Sequence, residues 1–366
     1  MRDSPHGVKA KSCLAALLPV VLALVLGPAR ARAADAPGGA NDTETPVLSL
    51  PTPVGPVTYT PGRGLRVGDT GLTLGGYSNL NLVRDEGGPA TLTLDDVSLF
   101  VSWNPTARFH LFSELEWEDL IELDDHGRST SGGATFTAER LYGDFTLLDA
   151  LNLRLGKFLT PVGRWNVIHA QPLVWTTSRP LATLLPFDPH TTGAMLFGAF
   201  DRRAGTLSYE VYGQCVDQFQ PTIEPQLAHR SAGGRLEYGS SGGWSVGASY
   251  TSFSHDGTWS HLGGLDGLWQ HGPFELMGEA VREQGGNETQ WGFYLQGVAE
   301  VWRGLFLVGR YEHYAQAAGL PVVNIGVAGL NWRPLPYLAL KVEYLFADHR
   351  AEESAPGFKS SVAILF

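Results

Sequence analysis

Arg108-Phe109-His110-Leu111-Phe112-Ser113-Glu114-Leu115-Glu116-Trp117-Glu118 decides how this chain is read. Phe109, Leu111, Leu115 and Trp117 alternate with His110, Glu114, Glu116 and Glu118. A period of two marks a strand whose faces meet different surroundings. The pattern recurs over Gly71 to Val83, where Leu72, Leu74, Leu80 and Leu82 oppose Thr73, Tyr77, Asn79 and Asn81. Near the end of the chain Leu338, Leu340, Val342 and Tyr344 oppose Lys341 and Glu343.

Extending the alternation predicts strands over 71–83, 91–103, 108–118, 136–147, 151–158, 191–200, 206–214, 231–238, 244–253, 261–270, 274–282, 289–301, 305–313, 322–332, 337–346 and 358–366, sixteen in all. Tight turns, such as Asn104 to Ala107, Asp201 to Gly205 and Pro334 to Pro336, alternate with longer polar loops. That describes an up-and-down antiparallel meander. A soluble sandwich or propeller also alternates, and the aromatic residues separate the readings. Trp103, Trp244, Phe274, Trp302, Trp332 and Tyr337 fall beside the short turns. Trp117, Phe136, Trp291, Tyr311, Tyr344 and Phe358 fall toward the long loops. Two belts at opposite strand ends suit two membrane interfaces, whereas a sandwich would carry such rings mid-strand. The expected fold is all-β, a 16-stranded antiparallel transmembrane β-barrel over residues 71–366. Its closing strand ends in Phe366, a final residue of the kind that barrel-assembly machinery reads.

The flanking segments agree with export. Arg2, Lys9 and Lys11 precede an apolar run from Cys13 to Gly27, and Ala31-Arg32-Ala33 follows. The run is shorter than the ~20 residues of a spanning helix, so residues 1–33 are expected to be a cleaved signal peptide. Residues 34–70, rich in Pro, Gly, Ala and Thr, are expected to form a flexible periplasmic leader. Cleavage removes five basic residues (Arg2, Lys9, Lys11, Arg30, Arg32) and one acidic (Asp3) from totals of 26 and 37, leaving 21 against 36 and a formal charge of −15. An acidic balance excludes a basic nucleic-acid-binding face. Cys215 alone remains, so no internal disulfide forms.

Charge on the lipid face is costly, which assigns the charged strand positions to the inner wall. Arg108, Arg140, Arg154, Arg235, Arg310, Lys341 and Lys359 then face Asp96, Glu114, Glu116, Glu118, Asp144, Glu210, Glu237, Asp266, Glu275, Glu279, Glu300, Glu312 and Glu343. For most of them paired ions on a wet surface are explanation enough. Together they describe a polar, net-acidic interior, and about sixteen strands leave a lumen that side chains do not fill.

The longest interruption of the alternation is Thr160 to Thr192, the third long loop. Its start, Leu153-Arg154-Leu155-Gly156-Lys157-Phe158-Leu159-Thr160-Pro161-Val162-Gly163, resembles the Gly-basic-Phe-x-x-Pro-x-Gly segment of the phosphate-selective porin O and P superfamily, which includes DcaP-like channels. The resemblance implies a porin whose third loop folds into the barrel and narrows it. The heptads of some DcaP-like leaders are absent, as is the inward arginine series of phosphate-selective members, so phosphate specificity is not carried over.

Within the loop, Lys157, Arg164, His169, Arg179 and His190 could form a positive rim facing the acidic third strand. Equally, Arg164 and Arg179 could cap loop carbonyls or pair with Glu114, Glu116 or Asp188. Trp165 and Trp175 read as packing anchors. His169 and His190 lack the close spacing of metal ligands. Glu122, Asp124, Asp125 and His126, in the acidic loop 119–131, could hold a divalent cation or bridge to lipopolysaccharide, but lack an EF-hand pattern. The function expected is passive diffusion of small hydrophilic or charged solutes across a Gram-negative outer membrane, with no catalytic residue, metal or cofactor. The alternatives are a phospholipase-like barrel enzyme and a structural or adhesive barrel. Outer-membrane lipid, lipopolysaccharide and the assembly machinery are the expected partners, and the chain could also form a homotrimer.

Overall fold

The computed structural model describes residues 46–125, 129–130, 134–217, 228–255, 257–286, 288–317, 319–349 and 355–366. The expected signal peptide, residues 34–45 of the leader, and His126 lie outside the described residues. Three short strands come first: β1 (Leu48–Leu50), β2 (Val57–Thr60) and β3 (Gly64–Val67). The long strands are β4 (Leu72–Asp85), β5 (Ala90–Thr106), β6 (Phe109–Asp124), β8 (Thr135–Leu148), β9 (Leu151–Leu159), β10 (His190–Arg202), β11 (Gly205–Gln214) and β12 (Arg230–Ser240). They continue as β13 (Trp244–His255), β14 (Thr258–His271), β15 (Phe274–Gly285), β16 (Glu288–Trp302), β17 (Leu305–Ala315), β18 (Val323–Leu335), β19 (Leu338–Ala347) and β20 (Gly357–Leu365). A two-residue strand, β7 (Ser129–Thr130), pairs with the end of β6.

Setting aside β1–β3 and β7, sixteen antiparallel strands remain, and each pairs with its neighbour in chain order. The ring closes where β20 pairs β4, from Gly357 opposite Asp85 to Leu365 opposite Tyr77. Each of the sixteen predicted segments overlaps one of these strands.

The two faces of the wall are inverted relative to a soluble protein. Leu265 is 66 % exposed, while its neighbour Asp266 is 7 % exposed. On β17, Leu307 and Tyr311 are exposed, and Arg310 and Glu312 are buried. An apolar exterior over a polar interior is stable only where the outer solvent is hydrocarbon. Trp103, Trp244, Trp291, Trp302 and Trp332 are exposed at strand ends, and Trp117 packs against Phe136 with tilted rings whose centres are 4.9 Å apart.

Four features depart from the reading of the sequence. First, residues 47–67 are not a flexible leader. β1, β2 and β3 form a small antiparallel sheet, and β3 pairs β4 through Leu65–Leu74 and Val67–Leu72. It takes the part of the β4 edge that β20 leaves free. Gly62 lies so close to Tyr337 that an added Cβ would stand 2.7 Å from the Tyr337 Cβ, so this girdle residue is half-covered by the hairpin.

Second, strict alternation fails at two charged doublets. β5 shifts register between Leu94 and Asp96, leaving Asp95 as the extra residue, and β8 does so at Glu139, between Arg140 and Ala138. A bulge lets two successive side chains turn to the same face. Without it, one charge of each doublet would face lipid.

Third, two expected wall residues stand exposed at the short-turn end, Arg108 in a turn and Glu300 near the end of β16. Arg108 is exposed between β5 and β6, and Glu300 is exposed and accepts the Gly304 N–H at 2.9 Å. Fourth, β6 runs to Asp124, so most of the expected acidic loop is strand, and the connections after β13 and β15 are as tight as the turns at the other end.

The seam is sealed by the chain terminus: the Phe366 N–H donates to the Gly76 carbonyl, and the Gly76 N–H donates to the Phe366 carbonyl, both at 2.9 Å. A Cβ on Gly76 would lie 2.0 Å from the Ser98 carbonyl oxygen and 2.9 Å from the Phe366 ring, whereas Gly263 has open space around it. Overpacking of this kind costs roughly 1–3 kcal/mol. Gly76→Val is therefore expected to lower the temperature at which the folded band disappears in heat-modified electrophoresis, and Gly263→Ala to leave it in place.

Candidate functional site

Segment 160–189 cannot join the wall as a strand. Pro161, Pro172, Pro180, Pro186 and Pro189 lack the N–H that a ladder needs. Its regular structure is two single turns, α1 (Trp165–Ile168) and α2 (Leu181–Leu184). The glycines of the Gly-basic-Phe motif are explained by backbone geometry. Gly156 has φ +133° with the Leu141 carbonyl oxygen 2.2 Å from any added Cβ, and Gly163 has φ +63° against the Glu279 carboxylate.

A chain without a ladder must find other partners for its backbone, and charged side chains of the wall supply them. The Trp165 N–H donates to Glu279 at 2.7 Å, and the Leu181 N–H to Glu312 at 2.9 Å. Thr177 and Ser178 both donate to Glu343, at 3.0 and 2.7 Å. In the opposite sense, Lys341 donates to the carbonyls of Gln171 and Thr176, Arg310 to that of Ser178, and Arg333 to those of Leu173 and Val174. Glu279, Arg310, Glu312, Lys341 and Glu343, expected to line a pore, are anchors of this segment instead.

Apolar contacts complete the attachment. Val162, Leu181, Ala182 and Phe187 pack with Phe253, Leu262, Val281, Tyr314, Ile325 and Leu345. Trp165 meets Tyr294 edge-on at 6.1 Å, and Trp175 lies 4.8 Å from Phe306 under the Arg333 guanidinium.

Of the two readings left open, Arg179 follows the capping one, and Arg164 pairs with wall carboxylates other than those expected. Arg164 reaches the wall, bonding Glu237 at 2.9 Å and Ser245 at 2.7 Å with Asp266 at 3.6 Å. Arg179 caps its own loop, donating to the Thr183 carbonyl at 2.6 Å and to Asn166 at 2.8 Å. Neither meets the third strand in these contacts. Asp188 accepts the N–H groups of His190 and Ala228 and holds the loop's return to β10.

The remaining arc carries its own ion pairs. Arg140 pairs with Glu114, and Arg154 grips Asp144 through two bonds of 2.7 and 2.8 Å. Their guanidinium groups lie over Phe112 and Tyr142, at 4.8 and 3.8 Å from the ring centres. Arg235 is held by Asp266 and Glu237. Glu210, half-buried on β11, stands opposite Arg235 in register.

Glu139, which sequence reasoning missed, is the hub at the root of the loop: His190 Nε2 lies 2.6 Å and His169 Nε2 3.6 Å from its carboxylate, and the buried Lys157 adds positive charge nearby. The signal that could have found it is the doublet Glu139-Arg140, since adjacent charges in a lipid-facing strand require a bulge. Asp95-Asp96 carries the same signal. Among the described residues no three His, Cys, Asp or Glu side chains converge to hold a metal ion.

No protein-family profile matches the chain. A curated protein of Aquifex aeolicus (strain VF5), itself uncharacterized, is 23 % identical over 358 residues, 81 % of this chain and 80 % of its own length. Solved structures share the architecture. OmpF of Salmonella typhi, in complex with daunomycin, superposes with a TM-score of 0.58 at 12 % identity, covering 82 % of this chain and 99 % of its own. The anion-selective porin from Comamonas acidovorans gives 0.54 at 16 %, over 80 % and 98 %. The outer membrane channel DcaP of Acinetobacter baumannii gives 0.52 at 9 %, over 81 % and 97 %. At such identities the likeness is one of fold, a closed sixteen-stranded barrel of the porin kind.

His169 offers a test of the loop's attachment. Burial pulls its imidazole from 6.5 down to about 4, against the opposing pull of Glu139. The ring is thus held neutral in the attached loop and takes up a proton near 6.5 once released. Release binds a proton between those values, so the contribution is complete above pH 6.5 and is lost as pH falls toward 4. The change is on the order of 3 kcal/mol. Proteolytic cleavage within segment 160–189 is expected to speed up as pH falls from 6.5 to 4.5, and His169→Gln to flatten that dependence.

Proposed function

We propose that this chain is an outer-membrane porin of a Gram-negative bacterium, a passive channel for small hydrophilic solutes narrowed by segment 160–189 folded inward. The observation that carries the reading is the pairing of an apolar exterior with a Pro-rich segment tied to the polar faces of β12 through β20. A loop bonded to that face lies within the ring. Its bonds and apolar contacts make it a fixed constriction more than a mobile gate. The fold shared with DcaP and the Comamonas porin supports the assignment, as does the Gly-basic-Phe segment at the loop's start. Residues 1–33 are read as the signal that delivers the chain, β20 with Phe366 as the strand that assembly machinery recognises, and a homotrimer as its assembly.

An enzyme reading has one observation in its favour. Ser102 Oγ lies 3.0 Å from His110 Nε2, and His110 Nδ1 lies 3.7 Å from Asp144. The arrangement falls short of a hydrolase site on two counts. Asp144 is already bound bidentately by Arg154. Ser102 also sits mid-strand between Thr73 and Phe112, where the ladder consumes the N–H groups that an oxyanion would need. Labelling of Ser102 by an organophosphate, lost in Ser102→Ala, would favour this reading.

Reconstitution in a planar bilayer tests the channel. The wild type is expected to give stepwise conductance. Arg164→Ala combined with Arg179→Ala is expected to raise both the unit conductance and its noise, because one link to β12–β14 and the staple across the loop are lost together. Absence of conductance from correctly folded protein would refute the porin assignment.

A further inference from the structure

Taking the channel reading as its premise, we infer that the pore prefers cations, and that the arc β4–β6 is where it selects them. Half a turn round the sixteen-membered ring from β15 stands β6, so this arc faces the wall on which the loop is seated. On this arc Asp95, Asp96 and Glu118 are part-exposed and Glu116 is buried beside them.

Charge accounting separates this arc from the rest of the interior. Elsewhere the cations are committed: Arg140 to Glu114, Arg154 to Asp144, Arg235 to Asp266 and Glu237, Arg310 to Glu312. Arg164 is committed to Glu237, and Lys341 to carbonyl oxygens of the loop. Among the described residues Asp95, Asp96, Glu116 and Glu118 join no ion pair with an arginine or lysine. Among the described residues Glu116 accepts only from the hydroxyls of Tyr77 and Ser98, at 2.7 and 2.8 Å. Asp95 accepts from the amides of Asn79 and Asn81, and Glu118 from the Thr135 hydroxyl at 3.1 Å. The four adjoin one another: Asp96 pairs with Glu118 in register, Ser98 with Glu116, and Asp95 is the bulged neighbour of Asp96.

A second observation points the same way. Asn79 is fully buried among these groups, and its Oδ1 has no hydrogen-bond partner. Its amide nitrogen is already given to Asn81 and Asp95. The Glu114 Oε1, buried on the same arc, is also without a partner. Both loose ends are acceptors, so a cation, or the N–H groups of an ammonium or guanidinium solute, would satisfy what an anion would aggravate. A half-ring of carboxylates at a narrow point sets cation preference. Because no three of the carboxylates among the described residues converge on one point, the arc is a track that passes hydrated monovalent and organic cations, not a chelate that retains a divalent one.

The test is the reversal potential in a planar bilayer under a KCl gradient at pH 7. The wild type is expected to pass K+ in preference to Cl−. That preference should weaken as salt rises from roughly 0.1 to 1 M, since the screening length falls from ~10 to ~3 Å. The variant D95N/D96N/E116Q/E118Q keeps the hydrogen-bonding shapes and is expected to lose the preference several-fold; D201N, exposed at the end of β10, should retain it. If the quadruple variant does not assemble, D96N and E118Q are measured singly, and each should lower the ratio by a smaller step. Conductance with no cation preference, or a preference unchanged in the variants, overturns the inference and leaves the porin reading intact. Folded protein without conductance overturns that reading itself.

Discussion

Pairing of the backbone is the constraint on which the rest depends. In hydrocarbon an N–H or C=O without a partner costs several kcal/mol, so a sheet whose outer face is Leu, Val, Tyr and Trp cannot keep a free edge there. Closure of β20 on β4 removes the edge across the membrane. The short sheet β1–β3 removes what is left of it at the short-turn end, and the two terminal bonds of Phe366 to Gly76 sit at the junction of both.

The same constraint governs the loop. Five prolines make segment 160–189 unfit for a ladder, and the charges of the inner wall take over that work. Glu279, Glu312 and Glu343 collect N–H groups, and Arg310, Arg333 and Lys341 collect carbonyls. Wall charges thus serve two ends. Over β12–β20 they fasten the Pro-rich segment, and over β4–β6 Asp95, Asp96, Glu116 and Glu118 join no ion pair with an arginine or lysine among the described residues. The asymmetry of the channel follows from where the loop lies, not from how charge is distributed along the chain.

Alternation, belts of aromatic rings and turn residues made the barrel legible before any coordinates. Period two has only two outcomes at each position, and lipid penalises the wrong one. The places where the reading missed have separate causes. At Asp95-Asp96 and Glu139-Arg140 alternation would have put a charge in lipid, and a bulge resolved the conflict. Strand ends and turns share their composition, so the pattern does not separate Arg108 and Glu300 from the wall, and proline and glycine mark loops and short edge hairpins alike, which hides β1–β3.

What the sequence determined by itself was the closed antiparallel barrel, the number of its strands and the position of the long third loop, because each rests on local periodicity. Which charges bind the loop and which do not was decided only by tertiary structure. Glu343 and Glu116 look equivalent along the chain, both carboxylates on the polar face of an amphipathic strand. They differ because Glu343 stands where the loop's N–H groups arrive, and Glu116 on the far side of the ring, where among the described residues the hydroxyls of Tyr77 and Ser98 reach it. Contacts between residues more than a hundred positions apart carry no periodic signal, so no reading of local pattern could assign them.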